Sequence, residues 1–396
     1  MKIFINISMV LLIFTGCSAV DSLLDSSNNK VEQKNDKYLN SEMASTNKII
    51  ATGIEQKIGQ MLMVGFFGTN VKPESQICQD IQNYNLGGVI LFDYNPIDKN
   101  KPKNIKSKSQ LTKLTKQLQN CSLDGKLLIS VDQEGGRVQR LKHKYGFYGK
   151  FPGAKEMGQK SIDNANVVYS SMGKELHNVG INFDLAPVVD LSLNPKNVVI
   201  NKLGRSYGEE PKKVAEYASV FISQMHKNSV LTSIKHFPGH GSSVGDSHKG
   251  FVDVTNDWQE KELEPYQILI EKNNIDTIMV AHVFNANIDK RYPASLSSKT
   301  ITDKLRNKMG YTGVVITDDL QMNAIDKEYT LRDTLRLAIN AGDDILLFGN
   351  QLNPRDTLST KKLVSIVIDL INNGDISVAN IEESYDRIQK LKKKIR

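Results

Sequence analysis

The sequence predicts an α/β fold, a (β/α)8 barrel of the TIM type, as one domain over residues 51–396. Three observations predict it. Eight short apolar runs recur from about Ile54 onward, most are separated by stretches of helical spacing, and polar residues fall just past several of the runs. Continuous apolar runs of four to eight residues suit strands buried on both faces, hence a parallel sheet under covering helices. Strand–helix alternation builds right-handed βαβ units. A doubly wound open sheet shares the alternation. It usually has fewer strands and a phosphate-binding turn after the first, and neither G-x-G-x-x-G nor G-x-x-x-x-G-K-[ST] occurs in the chain.

In chain order, the first fifty residues read as address rather than fold. Lys2 leads an apolar run from Ile3 to Phe14, and Thr15-Gly16-Cys17 follows. That run is too short for a bilayer, which needs ~20 residues, but suits a signal-peptide core. A small residue before a cysteine resembles a bacterial lipoprotein signal over residues 1–16, with Cys17 lipidated as the mature N-terminus. An ordinary secretory signal is the alternative. Residues 17–50 are mostly Ser, Asp, Asn, Lys, Gln and Glu, which cannot bury enough to offset their ordering entropy, so they read as a flexible tether. Several acyl chains on Cys17 would hold the protein at a membrane. The expected location is the bacterial cell envelope, on a periplasmic or extracellular face. Of the three cysteines, Cys78 and Cys121 remain, which is no disulfide scaffold but allows one pair in an oxidising compartment.

The strand candidates are Met61–Phe67, Gly88–Phe92, Leu127–Val131, Ile181–Val189, Leu231–Ile234, Thr277–Ala281, Gly313–Ile316 and Asp344–Phe348. Helical spacing marks Ile105–Leu118, Val214–His226 and Leu331–Ile339. Lys+Arg at 51 against Asp+Glu at 44 gives +7, spread along the chain apart from Lys392, Lys393 and Lys394, so no nucleic-acid groove is expected. Asp132, Asp190, Lys235 with His236, His282 and Asp318 each come at the carboxyl end of an apolar run, the edge where barrel enzymes build their sites. That placement is enzyme-like.

The densest cluster runs from Lys235 to His248. Pro238 and three glycines forbid a helix there, so His236 and His240 do not share a helical face. Asp246 and His248 can pair, which orients the imidazole and makes His248 a candidate general acid/base. A zinc site from His236, His240, Asp246 and His248 is the metal-dependent alternative, since the ligand types suit it. Two G-x-S-x-G strings, around Ser206 and Ser243, lack the strand-to-helix turn that a serine nucleophile rides. Of the adjacent acids after the seventh run, Asp318 is expected in a polar cavity and Asp319 as the cap of the next helix. Asp132, Glu134, Arg137 and Arg140 surround a Gly-Gly turn, where carboxylates and guanidinium groups can clasp hydroxyls or simply salt-bridge a loop.

DQEGGRVQRL, LGRSYG, KHFPGHG with its following D-S-H, and VITDDLQM, in that order, resemble glycoside hydrolase family 3, in its single-domain β-N-acetylglucosaminidase branch. The resemblance runs from about Ile54 to about Asn373. It implies a barrel, no metal or other cofactor, and retaining hydrolysis through a glycosyl-enzyme intermediate. By position, Asp318 is similar to the nucleophile, His248 to the acid/base and Asp246 to its orienting partner. Asp132, Arg140, Arg205, Lys235 and His236 match residues that hold the sugar next to the scissile bond. The implied substrate is a glycan ending in β-linked N-acetylglucosamine, including muropeptides in which it is joined to N-acetylmuramic acid. A β-glucosidase, or a phosphorylase using phosphate in place of water, is the alternative within the same chemistry. A glycan-binding protein without turnover is the alternative outside it.

Overall fold

Eight strands carry the architecture: β1 Leu62–Gly65, β2 Gly88–Ile90, β3 Leu128–Val131, β4 Phe183–Asp184, β5 Leu231–Phe237, β6 Thr277–Val280, β7 Val314–Thr317 and β8 Leu346–Phe348. Each overlaps one of the eight apolar runs, and every residue in them is buried, as strands covered on both faces must be. They pair in parallel in the order β8-β1-β2-β3-β4-β5-β6-β7. Ile316 in β7 bridges Ile345, just ahead of β8, also in parallel, which closes the ring. The fold is a (β/α)8 barrel. The computed structural model describes residues 53–245, 250–352 and 354–395. The expected signal segment, the tether, Cys17, Asp246 and His248 lie outside the described residues.

The covering layer consists of a helical segment over 53–60 and α1 Gln76–Tyr84, α2 Lys108–Cys121, α3 Ile162–Asn178, α4 Pro211–Lys227, α5 Glu264–Glu271, α6 Lys299–Lys308, α7 Leu331–Ala341, α8 Thr360–Asn372 and α9 Val378–Lys392. Local chemistry sets their ends. Ser107 Oγ accepts from the Gln110 N–H at 3.2 Å, so α2 starts three residues later than its apolar spacing suggests. Pro211, which needs no donor partner in a first turn, opens α4. Thr330 caps α7 at one end, and Gly342, at φ 105°, ends it in the left-handed region. Cys78 of α1 and Cys121 of α2 form a buried disulfide with Cα atoms 5.3 Å apart. Among the described residues no helix is long and apolar enough to cross a membrane.

Two strands differ from their apolar runs. The run Ile181–Val189 yields only the two-residue β4, because Pro187 has no N–H to give a ladder. The chain still follows β5, through Ser233 N to Ala186 O at 3.0 Å and Val189 N to Lys235 O at 2.8 Å. β5 in turn runs past Ile234 to Phe237. Its pairing with β6 skips His236, since Lys235 faces Met279 and Phe237 faces Val280. Such a bulge re-aims side chains at a barrel rim. It places Lys235 and His236 together in the wall of a cavity at the carboxyl ends of the strands.

Candidate active site

The carboxyl ends of the strands enclose a cavity of about 540 Å³, lined by Asp132, Glu134, Arg140, Arg205, Lys235, His236, Asp318 and Asp319, with Phe92, Met279 and Leu347 among the apolar walls. Five of the residues expected to hold a sugar therefore converge, together with the expected nucleophile. Glu134, read from the sequence only as one of the charged residues around a Gly-Gly turn, joins them. Its signal was the Gly135-Gly136 turn. Gly135 has φ 91°, and a Cβ there would stand 2.3 Å from the Pro152 carbonyl oxygen, so the turn is tight enough to double the chain back beneath Arg140.

The polar wall is a continuous ionic chain. Arg140 Nη2 donates to Asp132 Oδ2 at 2.9 Å, and Lys235 Nζ donates to Asp132 Oδ1 at 2.9 Å. The same ammonium lies 2.8 Å from Glu134 Oε1. Arg205 grips Glu134 with two parallel bonds of 2.8 Å, through Nε and Nη2. Burial pushes both acids up, but the neighbouring cations win. Lys235 and Arg140 hold Asp132 well below the usual carboxylate range, and Arg205 with Lys235 holds Glu134 down at about 2. All five groups stay charged at neutral pH, as a fixed lattice of donors and acceptors for hydroxyls.

Lys235 is the shared cation, so removing it takes one of two cations from the part-buried Asp132 and from the buried Glu134. Lys235→Met is expected to cost roughly 3–5 kcal/mol of stability at pH 7, read by urea unfolding. A loss below about 1 kcal/mol would contradict the pairing drawn here. The pH sign follows. Both acids are depressed in the folded state, so their contribution is complete above the unfolded carboxylate values near ~4 and is lost as pH falls toward about 2.

Asp318 directly follows β7 and lines the cavity. Its Oδ1 accepts from the Asp319 N–H at 2.8 Å. Asp319 corrects one expectation, because it caps no helix. Its Oδ1 accepts from Gln321 N and from Gly349 N, each at 3.1 Å, tying the turn after β7 to the turn after β8. Burial, with Asp318 adding to it, pushes the Asp319 carboxyl up to about 6 against these two N–H donors and Lys103. His282, expected only as a strand-end polar residue, sets its Nε2 3.0 Å from the Asp319 carbonyl and its Nδ1 2.6 Å from Ser295 Oγ. It supports the backbone that presents Asp318.

His236 is engaged at both nitrogens. Arg205 Nη2 stands 3.2 Å from Nε2, and Asp190 Oδ2 stands 2.7 Å from Nδ1. A guanidinium only donates, so Nε2 accepts and the ring proton sits on Nδ1, given to Asp190. His240 pairs Nδ1 with Ser243 Oγ at 2.7 Å, and burial pushes it down to about 4 against the pull of Asp190. A cation would compete with Arg205 for His236 Nε2, so the donor set around these two histidines does not suit zinc. Ser243 is fully buried and Ser206 hydrogen-bonds the Asp190 carbonyl at 2.6 Å, which gives both G-x-S-x-G serines structural work.

Glu262 was invisible to motif reading. It is buried at the start of the helical stretch leading to α5, and its Oε2 accepts from Gly241 N at 2.9 Å while its Oε1 accepts from Ser242 Oγ at 2.6 Å. Burial pushes its carboxyl up to about 7, although the Ser242 hydroxyl works against that. Gly239 must be glycine, since φ is 121° and a Cβ would meet the Glu262 side chain at 2.6 Å. Glu262 thus fastens the stem that leads toward Asp246 and His248.

The family model for the glycosyl hydrolase family 3 N terminal domain matches residues 53–391. The chain belongs to glycoside hydrolase family 3. It is 31% identical over 375 residues to the beta-hexosaminidase A of Pseudoalteromonas piscicida, covering 86% of this chain and 61% of that one. It is 34% identical over 293 residues to a beta-hexosaminidase of Photobacterium profundum, covering 73% and 81%. A solved family 3 beta-N-acetylglucosaminidase from Paenibacillus superposes with a TM-score of 0.76 at 32% identity, over 86% of this chain and 62% of that one. The chain therefore spans less than two thirds of the Pseudoalteromonas and Paenibacillus proteins. The closed barrel is the expected fold, and the family match and the superposition bear it out.

Proposed function

We propose that this family 3 glycoside hydrolase is an exo-acting, retaining β-N-acetylglucosaminidase. The observation that carries the reading is the arrangement of the cavity. One carboxylate, Asp318, stands at the end of β7 in the same cavity as the charged wall of Asp132, Glu134, Arg140, Lys235 and Arg205. Such a wall recognises the hydroxyl pattern of one terminal sugar. Asp318 attacks the anomeric carbon, the leaving oxygen takes a proton, and a glycosyl-aspartate forms. Water then attacks that intermediate, returning a proton to the acid/base and releasing the sugar with retained configuration. His248, oriented by Asp246, is assigned the proton transfers. No step calls for a metal or a cofactor. The relatives named beta-hexosaminidase support N-acetylglucosamine as the terminal sugar.

The proposed natural substrate is N-acetylglucosamine linked to N-acetylmuramic acid in cell-wall fragments. The domain plan proposed with it is a lipoprotein signal over 1–16, lipidated Cys17 and a tether over 17–50, and the barrel over 51–396, held at the bacterial envelope. The buried Cys78–Cys121 disulfide supports an oxidising compartment. The test is p-nitrophenol release from the β-N-acetylglucosaminide against the β-glucoside, each with and without chelator and phosphate. Preferential hydrolysis of the former, unmoved by chelator and with no sugar phosphate formed, is expected. Preference for the glucoside, or a requirement for phosphate, would replace this substrate or this acceptor.

A further inference from the structure

Lys103 lies in the segment after β2 and is 1% exposed, unlike its neighbours Lys99 and Lys101. Its Nζ donates to the carbonyls of Gly349 at 2.9 Å and Asn350 at 2.7 Å, and sits 4.7 and 4.6 Å from the ring centroids of Phe67 and Phe92. Carbonyls and ring faces stabilise an ammonium, but taking one out of water is costly. Burial pushes Lys103 down to about 7, with Asp319 the one acid pulling the other way. A lysine needed only to fill space would be replaceable by an apolar side chain at a net gain. What the charge holds is therefore informative.

The two carbonyls belong to the turn after β8, and that turn is stitched to the turn after β7. Gly349 N donates to Asp319 Oδ1 at 3.1 Å, Asn350 N donates to Gln321 Oε1 at 2.6 Å, and Gln321 Nε2 donates to Asn350 Oδ1 at 3.2 Å. One residue on, the Asp319 N–H holds Asp318 Oδ1. We propose that Lys103 is a positioning residue for Asp318, clamping the 349–350 turn against the 318–321 turn and, in its protonated form, setting a positive charge near Asp319. The proposal rests on Asp318 being the nucleophile. The charged and titratable groups facing this assembly are Asp318 and Asp319 after β7, Arg140 over the Phe92 ring and His282 at the Asp319 carbonyl.

Lys103→Met keeps the stem and deletes the charge. Without the cation the Asp319 carboxyl ionises less readily, and the coupled Asp318–Asp319 pair with it, so the acid limb of the kcat/KM profile should move to higher pH. At the plateau kcat/KM should fall on the order of tenfold or more, chiefly in kcat, because a displaced nucleophile loses its attack geometry. Lys103→Arg should return the acid limb to its wild-type position. The position of the limb does not depend on how much of a preparation is folded, so a purely structural lysine would lower amplitude and leave the limb in place. That outcome overturns the proposal, as does a Met variant matching wild type throughout. If Lys103→Met is insoluble, Lys103→Gln is measured with the same two criteria. Mapping a slow fluorinated-sugar adduct on the wild-type protein separates the two claims. A label away from Asp318 removes the nucleophile reading, whereas a label on Asp318 with an unmoved limb removes Lys103 alone.

Discussion

Asp318→Ala is expected to abolish turnover of every glycoside the protein accepts, whatever its leaving group. The loss should be about 10⁴-fold or more in kcat, the scale on which removing a covalent nucleophile acts. Two features of the structure make the effect selective for chemistry over folding. Asp318 is only partly buried in the cavity wall, and although the variant loses the bond from the Asp319 N–H, the Asp319 carboxylate still ties the turn to Gln321 and Gly349. The ionic wall of Asp132, Glu134, Arg140, Lys235 and Arg205 is held by its own ion pairs, so the variant should still bind the sugar product. Equilibrium binding of N-acetylglucosamine by calorimetry checks this, alongside mass spectrometry for a covalent adduct from a fluorinated sugar. Retained binding with lost labelling is the expected pair. Appreciable turnover in the variant, or a wild-type adduct on another residue, would move the nucleophile elsewhere.

The fold was legible because its signal is one-dimensional. Strands buried on both faces must be apolar along their length, so all eight showed as runs, and the residues just beyond them were already positioned at one edge of the barrel. Legibility failed where a polar residue is buried by a partner distant in sequence. β5 continues through Lys235 and His236 because Asp132, Glu134 and Asp190 come from other strands to meet them. Lys103 sits in a lysine-rich stretch that looks solvated, and only carbonyls about 250 positions away make it a buried cation. Asp319 looked like a helix cap because its neighbour occupied the cavity, yet besides the Gln321 N–H it accepts that of Gly349, at the end of the adjacent strand β8. Glu262 carries no motif at all, and its task is set by the Gly241 and Ser242 groups that the chain folds back onto it. Ionic complementarity between distant segments is therefore the part of the site that the order of residues conceals.

His248→Ala is expected to separate two substrates that Asp318→Ala treats alike. A positioned proton donor contributes ~10²–10⁴-fold when the leaving oxygen is a poor one, as in a disaccharide. A nitrophenolate departs without a proton, so its glycoside gains little from the donor in the first step. The variant should thus lose two or more orders of magnitude in kcat/KM on a disaccharide and far less on the nitrophenyl glycoside. Water still needs a base in the second step, so kcat on the nitrophenyl substrate should fall with accumulation of the glycosyl-enzyme, visible as a burst of nitrophenolate. Glu262 offers a control on the same axis, since it fastens Gly241 and Ser242 in the stem that precedes His248. Equal losses on both substrates, with no burst, would show that the imidazole serves structure rather than proton transfer and would send the search for the donor to another side chain of the cavity.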